Sequence, residues 1–137
     1  LLGPLNAAAL QGIDVAVILP AQNNLPYVHR ATRHMLWELL QRGVRVYYQP
    51  PPFVHSKLFY MDDRYAQIGS ANLDPRSLRL NFELDMEIYD GALAGKIGQL
   101  IDAEIENSEA VTLEGLAAIP FRKRLRNRII WLASPHL

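Results

Sequence analysis

Apolar residues follow two rhythms along this chain: short runs and alternations that suit strands, and a three-to-four spacing that suits helices. Asn6 to Gln11 reads as the end of a helix, closed by Gly12 at the position just past the last turn that glycine favours. Ile13-Asp14-Val15-Ala16-Val17-Ile18-Leu19 is a β-branched run stopped by Pro20, which predicts a buried strand. After the polar stretch Ala21 to Asn24, Val28, Met35, Leu36, Leu39 and Leu40 form a broad apolar stripe. They predict a helix from about Pro26 to Arg42, ended by Gly43. Val44 to Tyr48 is the next strand, and Pro50-Pro51-Pro52 bars any regular element behind it. Val54 to Met61 and Tyr65 to Ile68 predict a hairpin around Asp62-Asp63-Arg64, and Ser70 to Leu80 a loop or short helix. Phe82, Leu84, Met86 and Ile88 alternate with Glu83, Asp85, Glu87 and Tyr89, which is strand period. Gly91 to Asn107 predicts a helix, and a last one runs from about Phe121 to Ala133. This β-α-β-ββ-β-α order predicts an α/β fold, a mixed β-sheet flanked by helices, as one domain over residues 1–137 without repeat or linker.

Composition narrows the class without fixing it. With 137 residues, half of them hydrophobic, the chain has enough apolar material for one core and is not of disordered composition. Cysteine is absent, which excludes a disulfide framework and thiolate chemistry. The formal net charge is zero, yet the charges are segregated. Glu83 to Glu114 holds nine acidic residues against the single basic Lys96, whereas Arg122 to Arg128 holds five basic residues and no acidic one. Such a basic segment suits an anionic partner, a lipid surface or a nucleic acid; a solvated helix face is the plain alternative. No apolar run reaches the ~20 residues that span a bilayer. The chain opens at Leu1-Leu2 with neither initiator methionine nor signal peptide, so it is expected to be a fragment of a longer protein.

The candidate chemistry lies between His55 and Glu83. On a strand, His55 and Lys57 project from one face together with Phe59, while Val54, Ser56, Leu58 and Tyr60 point the other way. An imidazole and an ammonium placed side by side call for an anionic group to meet them. Asp62 follows Lys57 by five residues, Gly69-Ser70-Ala71-Asn72 follows the next strand, and Glu83 heads the strand after that. Each signal is weak alone, since a lone strand histidine or a Gly-Ser near Asn is commonly structural. Together they supply a nucleophile, a cation, neutral hydrogen-bonding groups and carboxylates, the parts of a phosphodiester site without a metal cluster. No cofactor is expected.

The arrangement His55-x-Lys57-x(4)-Asp62-x(6)-Gly69-Ser70-x-Asn72 resembles the signature of the phospholipase D superfamily at every defining position. Ser77-Leu78-Arg79-Leu80-Asn81-Phe82-Glu83-Leu84, then Glu87-Ile88-Tyr89-Asp90 and the closing Ser134-Pro135, look like its cardiolipin synthase branch. The resemblance covers nearly the whole chain and implies half of a phospholipase D-like α/β sandwich. It implies a metal-free, two-step transfer in which His55 attacks the phosphorus of one phosphatidylglycerol and a second phosphatidylglycerol then takes the phosphatidyl group. Lys57 and Asn72 then hold the phosphate oxygens with Ser70 close by, Asp62 is largely structural, and Glu83 orients the histidine. The implied partners are phosphatidylglycerol and anionic membrane lipid rather than nucleic acid, and the implied location is the bacterial inner membrane.

The family's site needs two such motifs, and this chain has one, because His29, His34 and His136 lack a lysine two residues on. The second copy is expected either from a missing N-terminal half, which would make this chain the C-terminal half, or from a symmetric dimer. Either histidine of the pair could be the nucleophile. The alternatives are a phosphodiesterase, either a lipid hydrolase or a dimeric nuclease, and a non-catalytic binding domain with a relic phosphate site.

Overall fold

A computed structural model describes residues 2–21, 35–72 and 81–117 of the chain. The backbone divides into two compact units. The first comprises Leu1–Phe53 with Ser108–Leu137, and the second Val54–Asn107. Among the described residues are two three-stranded sheets and four helices, the α/β content that the element order predicts.

The first unit contains α1 (Leu2–Leu10), β1 (Ala16–Pro20), α2 (residues 35–41), β2 (Arg45–Gln49), β6 (Glu109–Ala110) and α4 (Leu113–Ala117). Its sheet is mixed: β2 lies parallel to β1, with Val17 opposite Val46, and antiparallel to β6, with Tyr47 opposite Ala110. Both helix stops read from glycine are present. Gly12 and Gly43 have φ of +85° and +87°, a left-handed conformation that costs a residue with a Cβ but not glycine. At each, two backbone bonds close the helix: Gly12 N–H to Ala9 O with Ile13 N–H to Ala8 O, and Gly43 N–H to Leu40 O with Val44 N–H to Leu39 O. The second closure delivers Val44 straight into the core, which is built of Leu36, Leu39, Val44, Val46 and Leu116. Arg45 grips Asp14 through both carboxylate oxygens, at 2.9 and 2.7 Å, clasping the approach to β1 onto β2.

The second unit is an antiparallel meander, β3 (Lys57–Met61), β4 (Tyr65–Gly69) and β5 (Asp85–Ile88), followed by α3 (Gly91–Glu106). The hairpin turns where the sequence places it. Asp62 and Asp63 take φ of +51° and +52°, and Arg64 N–H bonds Met61 O, the geometry that suits the twist of a tight hairpin. Asp90 caps α3 by accepting from Leu93 N–H at 2.8 Å, and Asn107 ends it as C-cap. Ala94, Ile97 and partly buried Ile101 of α3 pack with Ala66, Ile88 and Tyr60 of the sheet. Tyr60 also donates to Asp63, a bond that holds its phenol above the ordinary tyrosine range.

Two expectations need correction. The strand predicted from Val54 begins at Lys57, so His55 lies just outside the sheet and is not on a strand face with Lys57. The strand predicted from Phe82 begins at Asp85; of its apolar residues Ile88 is 7 % exposed, whereas Phe82, Leu84 and Met86 stand open to solvent. The short elements β6 and α4 were not anticipated, because two and five residues are too few to show a period. The expected helix over 121–133 and the first part of the one over 26–42 lie outside the described residues.

Candidate active site

The meander brings three chain segments to one end of the second unit's sheet. β3 starts there, β4 ends there and β5 starts there, with the register Lys57 opposite Gly69 and Gly69 opposite Asp85. Residues scattered over some thirty positions of sequence are therefore neighbours through strand pairing alone.

Lys57, half-buried, opens β3 and donates from Nζ to the backbone carbonyl of His55 at 2.7 Å. That bond folds the lysine side chain back over the residue two places before it, so ammonium and histidine stay adjacent although His55 has left the strand. His55 is exposed.

Gly69 is the one residue type that fits the middle of this row. A Cβ there would lie 1.5 Å from Asp85 Oδ1 and 3.1 Å from Asp85 Cα, so the Asp85 side chain lies directly over the glycine. Ser70 continues the ladder by one residue. Its N–H donates to Leu84 O at 3.0 Å, and its hydroxyl oxygen accepts from Leu84 N–H at 3.0 Å. Its hydroxyl proton goes to Glu83 Oε2 at 2.6 Å, a short charge-assisted bond. The other oxygen of Glu83 accepts from Asn81 Nδ2 at 3.2 Å. Asn72 is exposed, two residues beyond Ser70 at the same end.

The predicted residues thus separate into two places. His55, Lys57, Ser70, Asn72 and Glu83 belong to the open end of the meander. Asp62 sits in the hairpin at the opposite end of β3, about 16 Å from Lys57 by strand rise. Two residues of this end were not singled out from the sequence, Asn81 and Asp85. Asp85 is brought here by the register of β4 on β5, whereas Asn81 reaches Glu83 by a local contact two residues along the chain, a spacing already present in the sequence. Among the described residues no group of His, Asp and Glu could hold a metal ion.

An ammonium, an imidazole and a side-chain amide at a solvent-facing sheet end suit a tetrahedral anion. The α/β fold is the one expected of a phospholipase D-like unit. The family model described as cardiolipin synthase, PLD-like domain, matches residues 1–106, and the chain belongs to that family. It is 35% identical over 133 residues to cardiolipin synthase A of Pseudomonas entomophila, a match covering 97% of this chain and 28% of that protein. It is 36% identical over 133 residues to cardiolipin synthase 1 of Staphylococcus epidermidis, covering 97% and 27%. It is 36% identical over 137 residues to the major cardiolipin synthase ClsA of Bacillus subtilis, covering 100% and 28%. The chain thus spans little more than a quarter of the length of these relatives.

Proposed function

We propose that residues 1–137 act as a single phospholipase D-like catalytic domain, the C-terminal half of a two-motif phosphatidyltransferase that makes cardiolipin from two molecules of phosphatidylglycerol. The observation that carries this reading is the row Lys57, Gly69, Asp85 with Ser70 on Glu83, which gathers the motif residues other than Asp62 at one exposed sheet end. The identity to proteins named cardiolipin synthase supports the choice of lipid.

In the proposed reaction an imidazole nitrogen of His55 attacks the phosphorus of phosphatidylglycerol. The P–O bond to glycerol breaks, and glycerol leaves with a proton supplied by the histidine of the second motif. That histidine then takes the proton from the free hydroxyl of a second phosphatidylglycerol, whose oxygen attacks the phosphohistidine. The P–N bond breaks, cardiolipin is released, and both histidines return to their starting states. The roles of the two histidines can be exchanged without altering this balance. Lys57 and Asn72 stabilise the negative oxygens on phosphorus, with Ser70 close by; Glu83 orients the imidazole by accepting from one ring nitrogen and leaving the other to react. Asp62 supports the motif structurally, from the hairpin. The partner motif comes from an N-terminal half or a second copy of this chain. The full protein acts at the surface of a bacterial inner membrane; no helix among the described residues is long and apolar enough to cross one.

The test is product analysis by thin-layer chromatography on phosphatidylglycerol vesicles. The full-length protein is expected to form cardiolipin and glycerol, the isolated chain to form neither, and His55→Ala in the full-length protein to abolish formation while retaining the melting temperature. Phosphatidic acid as the main product would reassign the protein to the hydrolases, and near-normal synthesis by His55→Ala would overturn the site.

A further inference from the structure

Glu83 is held at both carboxylate oxygens, by Ser70 Oγ on Oε2 at 2.6 Å and by Asn81 Nδ2 on Oε1 at 3.2 Å. Ser70 is itself fixed to the sheet through two bonds to the backbone of Leu84. A glutamate has three rotatable side-chain bonds, and one hydrogen bond leaves its carboxylate free to turn about the contact. Two bonds from different segments, one per oxygen, fix the plane of the group. A carboxylate has about four acceptor sites, so a clamp that uses two leaves room for an imidazole N–H.

We propose that Asn81 is a positioning residue, which together with Ser70 clamps Glu83 in the orientation that receives the ring N–H of His55. The inference rests on the assignment of Glu83 as the histidine-orienting carboxylate, and it adds a residue that this assignment does not require. The amide is suited to the task. It brings a donor to a carboxylate without adding charge, whereas an aspartate of the same size would repel it. Ser70 spends its one proton on the same carboxylate, so its first action is through Glu83, and the oxygens on phosphorus are left to Lys57 and Asn72.

The experiment is a double-mutant cycle on the full-length protein, with cardiolipin formation, melting temperature and the ring ¹⁵N shifts of His55 as readouts. Asn81→Ala is expected to lower kcat by about 3- to 10-fold, the worth of one ordinary solvent-exposed hydrogen bond, with little change in KM. Asn81→Asp, which keeps the size, is expected to lower it at least as far. In a Glu83→Gln background, Asn81→Ala should cost nothing further. The ¹⁵N shifts in Asn81→Ala should move toward a mixture of ring tautomers while the melting temperature stays in place. A merely structural asparagine would instead lower the melting temperature and give additive losses. Additive losses, or wild-type turnover by Asn81→Ala and Asn81→Asp while Glu83→Gln is impaired, overturn the clamp and leave the proposed function standing. Full activity of Glu83→Gln overturns the assignment of Glu83 and the clamp with it, and full activity of His55→Ala removes the functional reading as well.

Discussion

Gly69 shows how tightly single residues constrain the site end of the meander. With Asp85 Oδ1 lying 1.5 Å from where a Cβ would go, Gly69→Ala forces the aspartate side chain aside and presses on its backbone at 3.1 Å. The expected cost is about 1–3 kcal/mol, the usual range for inserting atoms into filled space. Denaturant titration checks this, and Gly69→Ala combined with Asp85→Gly should recover most of the loss, because the second change removes the group that is struck. Lys57 and Asp62 are members of the same sequence motif yet sit at opposite ends of β3, and that separation predicts different phenotypes. Lys57→Ala removes a charge donor beside His55 and is expected to lower turnover on the order of 10²-fold. Asp62→Gly, at φ +51°, fits the turn without strain and is expected to keep most of the turnover. A steady-state comparison of the two variants in the full-length protein decides it; equal, severe losses would mean that the hairpin takes part in the chemistry.

At the level of elements, α3 offers a contrast between two glycines one turn apart. Glycine within a helix costs about 1 kcal/mol relative to alanine. At Gly95 a Cβ meets nothing closer than Asp63 Oδ1 at 3.7 Å, ordinary contact, so Gly95→Ala is expected to stabilise by about 0.5–1 kcal/mol. At Gly98 the same atom lies 2.6 to 2.9 Å from the ring and hydroxyl of Tyr60. Gly98→Ala is therefore expected to destabilise despite better helix propensity, and to perturb the alkaline titration of Tyr60 that Asp63 now holds up. Thermal melts of both variants give the signs, and stabilisation by Gly98→Ala would show that Tyr60 yields freely. The limits of α3 were readable in advance because its cap, its apolar spacing and its end all lie in its own residues. So were both glycine-closed helix ends and the aspartate hairpin. The start of β3 was not, because a strand extends only as far as its partner, and β4 ends at Gly69 opposite Lys57. Alternation placed Phe82, Leu84, Met86 and Ile88 on one strand face, but burial depends on what covers that face, and the α3 core takes in only Ile88. The candidate site follows the same division: the spaced motif and the stretch behind it pointed to His55, Lys57, Ser70, Asn72 and Glu83, while the placement of Asp85 over Gly69 arises from how β4 and β5 pair.

For the whole molecule the decisive property is the separation of charge that the zero net charge conceals. Nine acidic residues between Glu83 and Glu114 would be repelled by an anionic membrane, and the five basic residues between Arg122 and Arg128 would be attracted to it. Near an anionic surface each basic residue contributes roughly 1 kcal/mol, so all five together can hold a domain reversibly. The acidic block weakens that attraction little, provided it stays beyond a Debye length, about 8 Å at physiological salt. Two consequences can be measured by flotation with phosphatidylglycerol vesicles. Binding by the chain is expected at low salt and should fall steeply as salt is raised, because the contact is a sum of screened charge pairs. Replacing Arg122, Lys123, Arg124, Arg126 and Arg128 together by Gln leaves the acidic block unopposed and should abolish flotation, with zwitterionic vesicles binding neither form. Equal flotation of both forms would place the contact in apolar side chains, and failure of the unmodified chain to float would assign the basic segment to this protein's own fold.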